Sequence, residues 1–396
     1  MRSMAQSFTF RTAPPGVVLR HGEVRSTNAS AVFRLLLADG PAPRSHIARD
    51  VGLTQGAVTR IVADLGAAGL VAENEQLPNT TRGRPRVPVR VVPQSRMIVG
   101  VHIGFHLVHA ALTDLHGQPL QSRQVEHTGS VADVLDLCSE LIVELSERAT
   151  SPLLGVGVIT GGRVDPRAGV VRRHDVLDWA EVPLAARLAE STGAEVLVET
   201  SARAHSLADL LHGKARGHQN FAHIFVGHVV EAALVLDGRL HVGPSGLGGS
   251  LERWVMNDGT GRAVEARELV GDSAVITRAQ EVGIAAPRSV FEDLIALSES
   301  GTHDAQKAIR LLHERAYHVG TLTASLANLV DISLVIFSSG VVALDSSVPH
   351  VRQGLIAARG GLPIPEIRTE ANTDETLTRA ASAVVLESVL GGVHSR

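Results

Sequence analysis

MIVGVHIGFHLVHAALTDLHG, residues 97–117, is an apolar stretch broken by short glycine-containing turns. The pattern predicts a strand, a turn, and then a hairpin that bends at His116-Gly117. A second stretch, NFAHIFVGHVVEAALVLDGRL, residues 220–240, has the same arrangement. Because this hairpin-rich unit occurs twice, the sequence predicts two similar halves that enclose a cleft.

Other apolar runs after residue 97 alternate with segments of helical character. The predicted strands are LLGVGVIT (153–160), AEVLVET (194–200), EAALVLDGRL (231–240) and LVIFSSG (334–340). The predicted helices cover residues 131–148, 182–192, 303–330 and 375–390. Alternating strands and helices are typical of an α/β fold. The chain has 396 residues, 44% of them hydrophobic, so it can bury a large core.

Positive charge is concentrated at the start of the chain. Residues 1–92 contain twelve arginines and no lysine against six acidic residues, a net charge of +6. The whole chain carries −4, which leaves −10 for residues 93–396. A local positive field attracts phosphates, and an acidic remainder limits nonspecific binding. The split therefore predicts a polyanion-binding head on an acidic body.

Residues 26–71 have the spacing of three short helices, the third within LTQGAVTRIVADLGAAGLV (53–71). Thr54 is the expected N-cap of that helix, because a threonine hydroxyl can accept a hydrogen bond from a first-turn amide. A short helix, a tight turn and a helix with a small, polar outer face make a helix-turn-helix. The alternative is a generic three-helix subdomain whose polar face is only solvated.

Five polar residues of this unit are the candidate DNA contacts. We expect Gln55, Thr59 and Arg60 to reach base edges or the groove, since amide and guanidinium groups pair with adenine and guanine edges. Ser45 and Thr54 are expected to contact phosphates, which position a protein on the duplex.

A basic hairpin is predicted to follow the third helix. VAENE (71–75) and RVPVRVV (86–92) have strand-like composition and are joined by a long tip. Arginines are attracted to the narrow minor groove of A·T-rich DNA, so we expect Arg82, Arg84 and Arg86 to act as a DNA-contacting wing. The alternative is a solvated basic linker, because proline and arginine are also common in linkers.

These patterns divide the chain into an N-terminal arm (1–25), a winged helix-turn-helix domain (26–92) and a two-lobed body (97–396). No apolar segment has the length of a signal sequence or a membrane span, which predicts a cytoplasmic protein with no membrane partner.

No metal or other cofactor is predicted. The single cysteine, Cys138, excludes an intrachain disulfide and a cysteine-rich zinc site. The alternative is a histidine-only site, formed by His102, His106 and His109 or by His223 and His228. Their spacing on strands points neighbouring side chains to different faces, so scattered histidines are the ordinary explanation.

Three collinear motifs resemble the ROK family of repressors, open reading frames and kinases. GVGVITGGRVDPRAGVV (155–171) is similar to the family's G-x-P-G-x-V-D stretch. WAEVPLAARLAESTGAEVLVETSARAHSLAD (179–209) resembles the segment that contains E-N-D-A-N, and LDGRLHVGPSGLGGSLERW (236–254) resembles the run that ends in G-E-I-G-H. The resemblance extends from about Thr27 to the C-terminus. It implies a two-lobed actin-like ATPase body of the sugar kinase and ribonuclease H type, and it points to the winged-helix branch related to xylose and N-acetylglucosamine repressors.

The chain departs from the family's kinases at the catalytic motif. The resemblance places Ser201 where the kinases have the aspartate that accepts the proton of the sugar hydroxyl. Thr200 and Arg203 replace the two asparagines. No general base remains at this position, so the resemblance implies a protein that is not an enzyme.

The phosphate-binding loops of the family also differ here. The segment HIGFH (102–106) stands in place of D-I-G-G-T, and VGHVVEAA (226–233) in place of L-G-T-G-I-G-A-G. A phosphate needs close approach to the backbone, which bulky side chains oppose. We also expect Glu231 to repel a phosphate.

Six residues occupy the positions that hold the sugar and the zinc-binding histidine in the family. They are Glu199, Ser201, Arg203, Ser250, Glu252 and Arg253. The cysteine cluster is replaced by NDGTGRAVEA (257–266), with Ala263 at the last cysteine. In this chain the site either binds a different ligand, with Arg203 or Arg253 pairing an anionic group, or is a sealed structural remnant.

The resemblance implies a transcriptional regulator, with repression favoured over activation, of genes for sugar or amino-sugar metabolism. Its partners would be double-stranded operator DNA, a sugar or sugar-phosphate effector, and further copies of itself in a dimer or tetramer. The alternatives are a sugar kinase with an accessory DNA-binding head, and a module whose body docks another regulator.

Overall fold

The computed structural model describes residues 21–73, 87–338, 340, 345–371 and 373–391. Its helices are α1 His21–Asp39, α2 Arg44–Asp50, α3 Gln55–Ala67, α4 Val131–Glu147, α5 Leu184–Thr192, α6 Ser201–Leu211, α7 Ala266–Val270, α8 Asp272–Glu281, α9 Phe291–Glu299, α10 His303–Val330, α11 Val348–Arg359 and α12 Asp374–Val389. Within these residues, no helix combines the length and apolar character needed to span a membrane.

The strands fall into five sheets. They are β1 Ala42–Pro43, β2 Val71–Glu73, β3 Pro88–Val91, β4 Met97–Ile103, β5 Leu107–Thr113, β6 Pro119–Glu126, β7 Leu153–Thr160, β8 Arg163–Asp165, β9 Val170–His174, β10 Trp179–Val182, β11 Val196–Thr200, β12 Phe221–Val226, β13 Val230–Leu236, β14 Arg239–His241, β15 Val255–Asn257, β16 Ala263–Glu265, β17 Leu334–Ser338 and β18 Glu366–Glu370.

The N-terminal unit packs three helices on a small antiparallel sheet of order β1-β3-β2. Phe33 of α1, Ile47 of α2 and Val58 of α3 are almost completely buried in its core. These are the elements that a winged helix-turn-helix requires. Helix α1 begins at His21, so it includes the last five residues of the predicted arm. The tip of the predicted wing, residues 74–86, lies outside the described residues.

The sheets of the two lobes share one topology. The first has the order β6-β5-β4-β7-β11, in which β4 runs antiparallel to β5 and parallel to β7. The second has the order β14-β13-β12-β17-β18, with β12 antiparallel to β13 and parallel to β17. The repeat seen in residues 97–117 and 220–240 is thus confirmed as one hairpin unit in each lobe, and the predicted two-lobed α/β body is confirmed.

Several elements of the body were not predicted from the sequence. The segment 266–299 folds into the three short helices α7, α8 and α9. Each spans ten residues or fewer, so its apolar spacing repeats over too few turns to stand out from a loop. The sheet β8-β9-β10 was missed because its strands are also short.

The C-terminal helix α12 packs on the first lobe at two glycines. A Cβ atom at Gly100 would lie 2.4 Å from the carbonyl oxygen of Thr378. One at Gly157 would lie 1.9 Å from that of Ala381. Adjacent strands therefore offer a flat glycine surface on which the helix backbone rests directly.

Replacing one of these glycines tests the packing of α12. We expect Gly157→Ala to lower the free energy of unfolding by about 3 kcal/mol, because backbone must move to admit the methyl group. The matched control is Gly56→Ala in α3, where an added Cβ meets no atom within 4 Å. It should stabilise the protein by up to about 1 kcal/mol through helix propensity. Chemical denaturation measures both, and equal midpoints for the two variants would contradict the packing.

Candidate functional site

Helix α3 buries one face and exposes the other. Val58, Ile61 and Leu65 pack into the core, and the Thr54 hydroxyl caps the helix by accepting a hydrogen bond from the amide of Ala57 at 3.2 Å. This cap confirms the predicted start of the helix. It also leaves the first turn exposed at the end that a recognition helix presents to the major groove.

Three of the predicted DNA contacts lie along this exposed side. Gln55, Thr59 and Arg60 are exposed, and the Thr59 hydroxyl donates to the Gln55 carbonyl oxygen at 2.8 Å. Ser45 is half-buried at the start of α2. The other three predicted contacts lie outside the described residues, and they are Arg82, Arg84 and Arg86.

The N-terminal unit is fastened to the body through α1. Arg34 donates two hydrogen bonds to the carboxylate of Glu387 on α12, at 2.5 and 2.9 Å. The Ser30 hydroxyl donates to the carbonyl oxygen of Leu390 at 2.8 Å. One continuous apolar core joins the helices of this unit to α6 and α12 of the body.

A cavity of about 590 Å³ opens between the lobes. The two repeated turns face each other across it, with His102 to Leu107 on one side and Phe225 to Val229 on the other. Ile295 and Ala296 of α9 close a third side. The sequence predicted the cleft but missed this wall, because it gave no sign of α9.

Three imidazoles that line the cleft, those of His102, His174 and His228, are held in the uncharged form. Burial lowers the pKa of His102 to about 3 and that of His174 to about 4. The ring of His228 stacks on Phe105 with centroids 4.4 Å apart, and burial also lowers the pKa of His228. At neutral pH these side chains offer flat, apolar faces and neutral hydrogen-bonding atoms.

The carboxylate of Asp272, beside the second of the two repeated turns, already has a charged partner within the protein. Asp272 accepts a hydrogen bond from the buried guanidinium of Arg315 at 2.5 Å and lies 3.3 Å from the Nδ1 atom of His228. Arg315 also lies over the ring of Phe291, 4.5 Å from its centroid. The positive charge of Arg315 is therefore compensated within the protein.

The expected role of Glu231 is wrong. Its carboxylate accepts hydrogen bonds from the amides of Gly162 at 2.7 Å and Ala202 at 3.4 Å, and therefore points into the contact between the lobes. Burial raises the pKa of Glu231 to about 8 despite these hydrogen bonds. A carboxyl group that is largely protonated at neutral pH and turned toward Gly162 does not repel a phosphate.

The position that resembles a sugar site is closed. The cavity there has a volume of only about 10 Å³ and is lined by Thr200, Arg203, Glu231 and Ser250, among others. That is close to the minimum for one water molecule. In this conformation the site is closed, which corresponds to the alternative of a sealed structural remnant.

Arg203 cannot pair an anionic ligand here, which corrects that expectation. The side chain is 1% exposed, and its Nε and Nη2 atoms lie 2.6 and 2.5 Å from the buried carboxylate of Glu199. The remaining donors reach the carbonyl oxygens of Val164 at 2.9 Å, Gly246 at 2.9 Å and Gly248 at 3.0 Å. Both charge and hydrogen-bonding capacity are satisfied within the chain.

The structure separates the other residues of the predicted effector site. Ser201 lines the large cleft and Ser250 lines the small cavity. Glu252 is buried and Arg253 is exposed, and neither lines either cavity. The six residues therefore do not form one pocket.

The segment at the position of the zinc cluster folds as the hairpin β15-β16. The side chain of Asn257 accepts hydrogen bonds from the amides of Gly259 and Gly261, and that of Asp258 accepts them from Thr260 and Arg262. Side-chain hydrogen bonds thus close the turn that cysteine ligands would close in a zinc site.

In the described part of the chain, one group of three ligand-type side chains comes close enough to suggest a metal site, namely His205, His223 and Glu370. His223 already contacts Asp209 at 2.7 Å, and Glu370 binds Lys214 and lies 3.0 Å from Arg379. These two cationic side chains beside the Glu370 carboxylate would repel a metal ion. The cluster is better explained as a buried network that ties α6 to the sheet of the second lobe.

Comparison with known proteins agrees with this architecture. The ROK family model matches residues 98–359. The transcriptional regulator Rv0485 of Mycobacterium tuberculosis is 30% identical over 319 residues, which are 76% of this chain and 72% of that protein. The DNA-binding transcriptional repressor Mlc of Escherichia coli K12 is 28% identical over 233 residues, 57% of each chain.

A solved structure described as a ROK family transcriptional regulator, a homologue of the E. coli Mlc protein, superposes with a TM-score of 0.69. It covers 93% of this chain and 100% of its own, at 19% identity, so it supports the fold. The family model and the 30% identity to a named transcriptional regulator confirm the resemblance inferred from the motifs: the chain belongs to the ROK family.

Proposed function

We propose that this protein is a DNA-binding transcriptional repressor whose kinase-like body performs no phosphoryl transfer. The observation that carries the proposal is the exposed polar face of α3, with Gln55, Thr59 and Arg60, at the basic end of an otherwise acidic chain. Electrostatic attraction would bring this end to the phosphate backbone, and the side chains of α3 would read base edges. The relatives named as transcriptional regulators support the same function.

The arrangement on DNA follows from symmetry. Two copies related by a two-fold axis would place their α3 helices about 34 Å apart, one turn of the duplex, on a palindromic operator. Ser45 and Thr54 would contact phosphates, and Arg82, Arg84 and Arg86 would enter the minor groove beside each half-site. By resemblance to the repressor branch, the regulated genes belong to sugar or amino-sugar metabolism, and the protein works in the cytoplasm as a dimer or tetramer.

Helix α6 provides a route from the body to the head. Its first residue, Ser201, lines the cleft, and Leu207 and Leu211 belong to the apolar core shared with α1. Just beyond α6, Arg216 lies 3.2 Å from Asp39 at the end of α1. A ligand that changes the angle between the lobes would displace α6, and through it the DNA-binding unit.

The alternative of a sugar kinase has less support. Ser201 stands where the resemblance places the catalytic base, and the closed cavity beside Arg203 leaves no room for a hexose. The effector suggested by the repressor branch, a sugar or sugar phosphate, meets the same obstacle unless the lobes open.

Removal of one guanidinium tests the DNA interface. We expect Arg60→Ala to reduce the preference for one operator base pair on the order of 10- to 100-fold, because a bidentate base contact is lost. Arg84→Ala should weaken binding to A·T-rich flanks or to all sequences alike. The matched control is Arg310→Ala, an exposed position on α10. Mobility shifts measure all three, and unchanged affinity for both head variants would refute the assignment.

A turnover assay tests the absence of kinase chemistry. Purified protein incubated with MgATP and a panel of hexoses and amino sugars should release no ADP above the blank, because no carboxylate is available at position 201 to accept the hydroxyl proton. Turnover that Ser201→Ala abolishes would reverse the conclusion.

The attachment of the head is testable through Glu387. We expect Glu387→Gln to speed proteolytic separation of the head by roughly tenfold, since Arg34 keeps its partly buried position but loses its charged partner. The control is Glu375→Gln on the same helix, where an exposed carboxylate lies 3.6 Å from Arg379. Such exposed pairs contribute little. Equal cleavage rates for wild type and Glu387→Gln would show that the pair does not hold the head.

A further inference from the structure

The interlobe cleft, to which the predicted sugar site contributes only Ser201, has the properties of a ligand site. Its volume of about 590 Å³ lies within the range of about 300–1,000 Å³ typical of small-molecule pockets. The sugar position, by contrast, holds about 10 Å³. In the conformation described, the cleft has room for a small molecule and the sugar position does not.

The walls of the cleft are mainly apolar and aromatic. Phe105 is 43% exposed at its edge, and its ring stacks with His228. Leu107 and Val229 approach from the two lobes, and Ile295 approaches from α9. An exposed aromatic ring beside a concave apolar surface is a feature that an apolar ligand would cover.

One residue in the wall of the cleft has a buried polar atom without a partner. The Nδ1 atom of His102 is buried and has no hydrogen-bond partner among the described residues, and the His102 side chain lines the cleft. A buried polar group without a partner is costly, and a ligand atom can remove that cost. Because burial lowers the pKa of His102 to about 3, the group presents a neutral imidazole.

The charges around the cleft disfavour anions. Of the described residues that line it, none is lysine or arginine. Glu292 and Glu299 are exposed on α9 at the edge of the cleft, and Asp272, which also lines it, is paired with Arg315. A nucleotide or a sugar phosphate would therefore meet carboxylates at the edge and the neutral imidazoles of His102, His174 and His228 inside, with no lysine or arginine among the described lining residues to pair with it.

We propose that this cleft binds an uncharged, largely apolar small molecule that carries a flat ring and one hydrogen-bonding group for His102. The ring would lie against Phe105 and the aliphatic wall of α9, and the polar group would meet the Nδ1 atom. The proposal deepens the proposed function, because it names the chemical class of the effector, but ligand binding can be measured without DNA.

Two fluorescent probes that differ by one sulfonate test the charge argument. N-phenyl-1-naphthylamine is uncharged, and 1-anilinonaphthalene-8-sulfonate is its anionic counterpart. The full-length protein should bind the uncharged probe saturably, one per chain, and at least about tenfold more tightly than the anionic probe. Equal or tighter binding of the sulfonate, or displacement of the uncharged probe by MgATP, would overturn the proposal.

Filling the cleft tests the location. Ala296→Trp on α9 and Leu107→Trp on the first lobe should each weaken binding of the uncharged probe by at least about tenfold. The matched control is Ala357→Trp, an exposed alanine of α11 that does not line the cleft, and it should leave binding unchanged. Circular dichroism shows whether each variant is folded.

Probe binding that survives both filling variants would place the ligand elsewhere and refute the site. Mobility shifts on the same samples separate the two proposals. Loss of the probe with intact DNA binding refutes only the cleft ligand, and intact probe binding without any DNA binding refutes only the repressor.

Discussion

The arrangement of the two lobes depends on the buried guanidinium of Arg203. Its donors connect Glu199 at the end of β11 and the carbonyl of Val164 in the first lobe to the carbonyls of Gly246 and Gly248 in the second. A buried cation is tolerated only when its donors are satisfied, so the lobes cannot separate here without leaving donors of Arg203 unpaired. Arg203 therefore closes one side of the interlobe space.

This closure accounts for the asymmetry of the interlobe space. Glu231 adds a second connection on the same side by accepting the amide hydrogen of Gly162, and together with Arg203 it fills the volume a sugar would need. Across the large cleft, the described lining residues make a ring contact rather than hydrogen bonds: Phe105 stacks on His228, and the wall of α9 beside this pair leaves open space. The side that resembles a sugar site is thus structural, and the side of the two repeated turns remains free to bind.

The sequence predicted those features that depend on local patterns. The strands of both repeats, the cap at Thr54 and the long helix α10 follow from apolar spacing within one segment, and they agree with the structure. The partners of Arg203 could not be predicted in this way, because Gly246 and Gly248 are more than forty residues away along the chain. Glu231 was misjudged for a related reason: alignment with a phosphate loop gives the position of a residue but not the direction of its side chain.

The position of α6 connects the interlobe cleft to the N-terminal unit. Ten of its eleven residues are buried, and its side chains bind both lobes through Arg203, His205 and Asp209. A helix held on all sides cannot adjust alone, so a change in the lobe angle must move it as a rigid rod. Since its apolar residues share a core with α1, that movement reaches the DNA-binding unit directly.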